Sequence, residues 1–412
     1  MSADYHLFDC FGVELEYMIV DAKTLDVFPA SDRVLHAIAG AYESEVEMGE
    51  LSWSNELALH VIELKTNGPA GKLTDLAEKF DADVRRINEI LDAHGGRLMP
   101  TAMHPWMDPH TQTKLWPHEY SPVYEAFNRI FDCRGHGWSN LQSTHLNLPF
   151  SGDDEFGRLH AAIRLLMPIL PALAASSPVM DGAPTGVIDT RLETYRYNSR
   201  KIPSVSGQVI PEAAFSRAEY DRMILQHIYK DLAPHDPEGI LQFEWANARG
   251  AIARFDRSAI EIRTLDVQEC PAADIAILQM IVAALRAIVD ERFCPFERQK
   301  AWSVGALAEL HLQVIEEGEL AIIENMDYLR ALGLEGTARY TVRDIWRHLV
   351  EVTNVRVAVS ERSRNAMDVV VEKGPLSRRL LRRLGDAPDR RTIEGAYREL
   401  CDCLQAGTLF DA

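Results

Sequence analysis

At 412 residues, 47% of them hydrophobic, the chain is long enough to bury a large core in one big domain or two. A formal net charge of −19 excludes general nucleic-acid binding, which needs a basic footprint, but admits anionic substrates neutralised by metal ions or local arginines. The cysteines at 10, 133, 270, 294, 401 and 403 have neither the density of a disulfide framework nor zinc-ligand spacing, which sets the expectation of a reducing, cytoplasmic compartment. No basic segment followed by an apolar run opens the chain, so no signal peptide is expected. Nor is a membrane span, since no stretch reaches the roughly eighteen apolar residues needed; residues 274–292 come nearest and read as amphipathic.

The first element is a strand. Residues 12–20, Gly-Val-Glu-Leu-Glu-Tyr-Met-Ile-Val, are rich in β-branched and aromatic side chains, and an Asp21-Ala-Lys turn closes them. Side chains alternate along a strand, so Glu14 and Glu16 share one face while Val13, Leu15 and Tyr17 share the other. Two carboxylates about 7 Å apart repel unless positive charge sits between them. A solvent-facing edge strand would carry them freely. The apolar run that follows favours burial instead, and with it a site for a hard divalent cation that takes oxygen ligands.

Residues 31–41 read as a short helix and 43–47 as an acidic stretch. Residues 59–66 alternate like a second strand, stopped by Gly68-Pro69, with Glu63 on the face of Val61 and Lys65. Glu56 lies seven residues before Glu63, an odd separation, so it reaches a shared site only from a loop, bulge or turn. Residues 72–94 are the clearest helix: Leu73, Leu76, Phe80, Val84, Ile87 and Leu91 recur at three- and four-residue intervals, and Gly95-Gly96 ends it.

Residues 99–147 read as loop, with His104, His110, His118, His136 and His145 spaced unlike zinc ligands and interleaved with prolines. Residues 143–149 then alternate, placing Ser143, His145 and Asn147 on one strand face, three polar groups that need a polar ligand if turned inward. Residues 153–177 predict an amphipathic helix kinked or divided at Pro168 and Pro171. The basic cluster Arg191, Arg196, Arg200 and Lys201 is either solvated charge or a seat for a carboxylate or phosphate. Residues 216–232 predict another helix. Residues 259–268 alternate again, with Glu261 and Arg263 on one face; that pattern fits a cross-strand ion-pair set or a metal ligand beside a phosphate clamp. Arg249 and Arg254 add basic side chains upstream. A long helix over 274–293 ends at Pro295, and helices follow at 304–317, 319–332, 341–358, 377–384 and 392–404. The cluster Arg378, Arg379, Arg382 and Arg383 predicts an exposed helix face.

Taken together, four strands and the residue Glu56 beside one of them offer five carboxylates, a histidine and an arginine. Gathered on one face, that set could hold two or three Mg²⁺ ions bridging ATP phosphates, with Arg263 on the moving phosphoryl. The motifs Gly12-Val-Glu14-Leu-Glu16, Glu56 with Glu63, Thr144-His145-Leu-Asn147 and Ile260-Glu261-Ile-Arg263-Thr-Leu-Asp266 resemble, in order, those of the glutamate–cysteine ligase family, including bacterial carboxylate–amine ligases, within the glutamine-synthetase-like superfamily. The resemblance covers about residues 8–295. It implies an α+β fold: a curved antiparallel sheet forming a funnel, helices outside, a catalytic core over 1–296 and a helical C-terminal region over 297–412 packed on it.

The resemblance also implies chemistry. ATP would phosphorylate the γ-carboxylate of glutamate, and an amine would attack the acyl-phosphate to give an amide, ADP and phosphate. Glu16, Glu56 and Glu63 would hold one metal ion, and Glu14, His145 and Glu261 another. Arg263 would contact the moving phosphoryl; Asn147, Arg249 and Arg254 would contact the nucleotide; Arg191 or Arg196 would bind glutamate. Many carboxylate–amine ligases carry a second His where this chain has Asn147, and the His-x-Asn form resembles authentic glutamate–cysteine ligases, which leans toward cysteine as acceptor. Another amine or carboxylate, and a non-catalytic nucleotide- or metal-binding relative, are the competing expectations. The partners implied are small molecules alone, with no membrane or nucleic acid and with homo-oligomerisation left open.

Overall fold

In the computed structural model, which describes residues 5–336 and 339–410, the alternating segments form one antiparallel sheet. Its strands are β1 (Gly12–Asp21), β2 (Glu45–Met48), β3 (Leu51–Asn55), β4 (Val61–Thr66), β5 (Gly96–Met99), β6 (Ser143–Pro149), β7 (Ala251–Arg254) and β8 (Ala259–Asp266). They run in the order β2-β3-β4-β1-β6-β8-β7, and β5 pairs with the second half of β1. The strands expected from alternation are β1, β4, β6 and β8. Those not expected are short or charged: in β2 the buried Val46 alternates with exposed Glu45 and Glu47, so the segment reads as acidic rather than β.

The two faces of the sheet differ sharply. Val13, Leu15, Tyr17, Ile62, Leu64, Leu146, Leu148, Ile260 and Ile262 are buried in the main core on one side. The helix Leu76–Asp92 and the helix Pro271–Val289 supply the packing layer. The second of these corrects the sequence reading. It is long and apolar enough to cross a membrane, and 89% of its apolar window is buried inside the fold, so it is a core helix apolar nearly all round. Its one buried acid, Asp274, accepts from Thr144 Oγ1 at 2.6 Å and from the Gln268 backbone at 3.1 Å, which ties the helix to the back of β6.

The other face changes character along β1. Glu14 and Glu16 line a hollow, whereas Met18 and Val20, of the same parity, are buried in a second cluster with Leu376, Leu380, Ile393, Tyr397 and Leu400. The helices Leu376–Leu384 and Arg390–Ala406 therefore cover the end of the face that the carboxylates do not occupy. Elsewhere the expected 153–177 helix divides at its prolines into Gly152–Leu166, a 3₁₀ turn over Met167–Ile169 and Pro171–Ala174. Residues 99–142 are not all loop, since Ser121–Phe131 is helical. The helix Glu361–Lys373 was not expected; its buried stripe of Ala366, Met367, Val370 and Val371 is hidden among charged residues.

Arg379 departs from the exposed helix face expected for its cluster. Its side chain is fully buried, pairs with Glu269 at 2.5 Å and donates to the Phe410 carbonyl at 2.6 Å. A buried pair broken on one side leaves an uncompensated charge. Glu269→Ala is expected to lower unfolding free energy by about 3–5 kcal/mol, read by urea denaturation; a change below about 1 kcal/mol would show that the pair does not tie the C-terminal helices down.

Candidate active site

Strand register builds the site. Glu16 stands opposite Glu63, Glu14 opposite both Lys65 and His145, and Asn147 opposite both Gly12 and Glu261. Glu56 follows the last residue of β3 and joins from the β3–β4 connection, as its odd spacing from Glu63 requires. The inward side chains of four strands thus meet in a cavity of about 1170 Å³ that Glu14, Glu16, Glu56, Glu63, His145, Asn147, Arg254, Glu261 and Arg263 all line. Gly12 leaves room for Asn147: a Cβ at residue 12 would lie 2.9 Å from the Asn147 Cβ.

Within the cavity His145 is the hub. Its Nδ1 lies 2.7 Å from Glu14 Oε2 and 3.9 Å from Glu261 Oε1, and its Nε2 lies 2.9 Å from Ser143 Oγ and 3.7 Å from Glu16 Oε1. Glu16 accepts from the Ser143 backbone at 2.6 Å, and Glu63 accepts from Ser54 Oγ at 2.7 Å. Asn147 Nδ2 donates to Glu14 at 3.0 Å. Arg263 pairs with Glu261 through Nη2 at 2.8 Å, while Arg254 stands 3.8 Å from the same carboxylate. Lys65 bridges Glu63 at 3.2 Å and Glu45 at 2.9 Å.

The electrostatics show which groups lack a partner. Burial alone would push the Glu14 carboxyl up, but the His145 hydrogen bond and charge, with Lys65 and Arg263, bring it down to about 2. Burial would lower His145, but Glu14, Glu16 and Glu261 raise it to about 9. Burial and the Glu14 charge raise Glu63 to about 7 despite Lys65, and burial with Glu16 and Glu63 raises Glu56 well above the carboxylate range. One carboxylate oxygen each from Glu16, Glu56 and Glu63 lies within 4.8 Å of the others, and Glu14, Glu63 and His145 form a second such group. A hard divalent cation prefers oxygen donors of this kind, and charge placed among them would remove the repulsion that Glu56 and Glu63 otherwise meet by holding protons.

Not every expected site residue lies here. Arg249 lines neither this cavity nor the chamber beside it. Its guanidinium donates to Glu212 through Nε and Nη2 and to Ser204 O and Asn247 through Nη1, so four of its five N–H groups are engaged away from the cavity. Arg196 also lines neither; it pairs with Glu193 and lies over the Tyr197 ring. Arg191 is buried beside the site, donating to Asp266 at 3.3 Å and to the Arg263 carbonyl at 2.8 Å, so it braces the irregular stretch of β8 between Ile262 and Leu265. Lys65 and Ser54 were missed as site residues. For both, the signal was parity: each shares its strand's inward face, Lys65 with Glu63 and Ser54 across from it.

A family model for glutamate-cysteine ligase family 2 matches residues 10–401. An uncharacterized protein of Archaeoglobus fulgidus is 38% identical over 280 residues, covering 68% of this chain and 75% of its own. A relative in Corynebacterium glutamicum is 27% identical over 190 residues, 45% of this chain and 46% of its own, so that match spans about half of each. Among solved structures, a glutamate–cysteine ligase from Francisella tularensis in complex with AMP is similar in fold, with a TM-score of 0.59 over 98% of this chain and 90% of that one, at 12% identity.

The raised Glu63 and Glu56 set a pH signature. Each keeps its proton when folded at a pH where the unfolded chain, titrating at about 4.3, has lost it. Without metal, stability contributed by this pair is therefore lost as pH rises from that value through about 7 for Glu63, and higher for Glu56. Thermal melting at pH 5 and at pH 8 should show Mg²⁺ raising the midpoint more at pH 8; an equal shift at both would contradict the assignment.

Proposed function

The chain belongs to glutamate-cysteine ligase family 2, and on that premise we propose that it is an ATP-dependent carboxylate–amine ligase acting on the γ-carboxylate of glutamate. The observation that carries this reading is the convergence of five glutamates, His145 and Arg263 on one cavity large enough for a nucleotide and a second substrate. Cysteine, the acceptor expected from the His145-Leu-Asn147 form, is the first amine to test.

A carboxylate is a poor acyl donor because its leaving group would be oxide. In the first step a carboxylate oxygen attacks the γ-phosphorus of ATP; the new O–P bond forms as the bond to ADP breaks. In the second the amine nitrogen attacks the carbonyl carbon, the C–N bond forms, the C–O bond to phosphate breaks and the nitrogen loses a proton. Mg²⁺ held by Glu16, Glu56 and Glu63, and by Glu14 and His145 with Glu63 or Glu261, would supply charge neutralisation to the phosphates.

The chain's own residues do the rest. Arg263, held by its bond to Glu261, would meet the oxygens of the moving phosphoryl, and that neighbour holds it cationic against the effect of burial. Arg254 lies within reach on the same side. His145 keeps Glu14 ionised as a ligand rather than a protonated acid.

Arg263→Ala is expected to reduce ATP-dependent amide formation by about 10²–10³-fold, and Glu14→Gln to nearly abolish it, with far-UV circular dichroism unchanged in both. ADP release with glutamate, ATP and Mg²⁺ is the readout. Turnover like that of the parent chain in either variant would refute the role given to that residue.

A further inference from the structure

Beside the carboxylates lies a second, smaller chamber of about 260 Å³, which shares Glu16, Glu56, His145 and Arg263, and the rings of Tyr124, Phe127 and Trp245, with the main cavity. Its walls are chiefly apolar. Phe127 packs against Trp138 and Trp245, with ring centroids 5.4 and 5.9 Å apart, and Leu141, Val61 and Val205 complete the lining. Several polar atoms on the aromatic residues are engaged by the protein. Trp138 Nε1 donates to the Asn198 carbonyl at 3.0 Å, Tyr195 Oη donates to the Ala248 carbonyl at 2.8 Å, and Tyr124 Oη accepts from Asn55 at 3.0 Å. Asn198 in turn donates its amide to Gly137 O and accepts from Ser199. What Trp138 and Tyr195 offer a ligand is therefore chiefly ring face, and Leu141, Val61 and Val205 add aliphatic surface.

One polar atom stands apart. Arg191 lines the chamber, is 2% exposed, and its Nε is buried with no hydrogen-bond partner, although its two terminal nitrogens are bonded. A buried donor left without an acceptor is expensive, and a ligand oxygen would satisfy it. The chamber thus has a charged end shared with the reacting centre, an aromatic wall of which Phe127 and Trp245 also face the main cavity, and one unsatisfied donor of its own. The size exceeds what the one-sulfur side chain of cysteine would fill.

We infer that this chamber seats the acceptor, and that the acceptor is an α-amino acid with a bulky apolar side chain. Its carboxylate takes the Arg191 Nε–H, its side chain lies on the Phe127–Trp138–Trp245 wall, and its amine points to the carboxylate cluster. The inference rests on the ligase reading for the amine's role, but the binding it requires stands separately. Filling a hydrophobic pocket by one further methylene is worth roughly tenfold or more in selectivity, whereas a polar side chain would leave its amide unpaired against the rings.

The test is a calorimetric titration of the full chain, with Mg²⁺ and a non-hydrolysable ATP analogue, using leucine, phenylalanine, cysteine and glutamine. Leucine or phenylalanine should bind at least about tenfold more tightly than cysteine or glutamine. Leu141→Trp, which fills the chamber, should remove that binding while the ATP analogue still binds, which shows that the variant is folded. Equal or tighter binding of cysteine or glutamine, or apolar binding that survives Leu141→Trp, would overturn the inference. ADP release with glutamate, run in parallel, separates the two readings. Release with cysteine but with no apolar acceptor would overturn the chamber inference and leave the ligase; tight leucine binding with no ADP release from any acceptor would support the chamber and remove the ligase.

Discussion

Glu16 and Glu63 face each other across two paired strands, and Glu56 closes on both from the connecting loop. Like charges directly opposite on a sheet are destabilising, and burial makes them more so. The rest of the site can be understood as a response to that constraint. Lys65 and His145 flank the acids, Ser54 and Ser143 donate to them, and burial with the neighbouring charges still raises the Glu56 and Glu63 carboxyls above the ordinary range. An arrangement that protein groups alone leave incompletely neutralised is what a cation site looks like before the cation is counted.

The scaffold makes this tolerable by sharp division of labour. One face of the sheet is apolar and closed by the helix Pro271–Val289, so the strands do not depend on their polar face for stability. On that polar face, the C-terminal helices cover β1 from Met18 onward and leave Glu14 and Glu16 to the hollow. The boundary between packing and chemistry falls within a single strand. At the far side, the irregularity in β8 and its brace by Arg191 and Asp266 fix the backbone from which Arg263 projects.

Much of this was legible in the sequence because strand alternation is a two-valued signal: once β1, β4, β6 and β8 are recognised, parity assigns Glu14, Glu16, Glu63, His145, Asn147, Glu261 and Arg263 to one face. Parity even placed Glu56 off the strand. It does not say whether a charged side chain is already partnered. Arg249 looked available and is bound to Glu212, and Arg196 is held by its helical neighbour Glu193. Lys65 shares the inward face, and its place between Glu63 and Glu45 depends on a pairing across to β2 that parity within one strand does not give. The strand β2 and the helix Glu361–Lys373 escaped notice because few of their residues are buried and charge dominates the local composition. Helix Pro271–Val289 was read as amphipathic because a few charged positions at its ends were given the weight of a face.

The most direct measurement is anomalous diffraction from crystals of the full chain grown with Mn²⁺ and an ATP analogue, since Mn²⁺ takes the same hard oxygen donors and scatters anomalously. The account predicts at least two peaks in the hollow, one bounded by Glu16, Glu56 and Glu63 and the other beside Glu14 and His145. A map with manganese elsewhere, or with these carboxylates bonded only to one another and to protein donors, would contradict it.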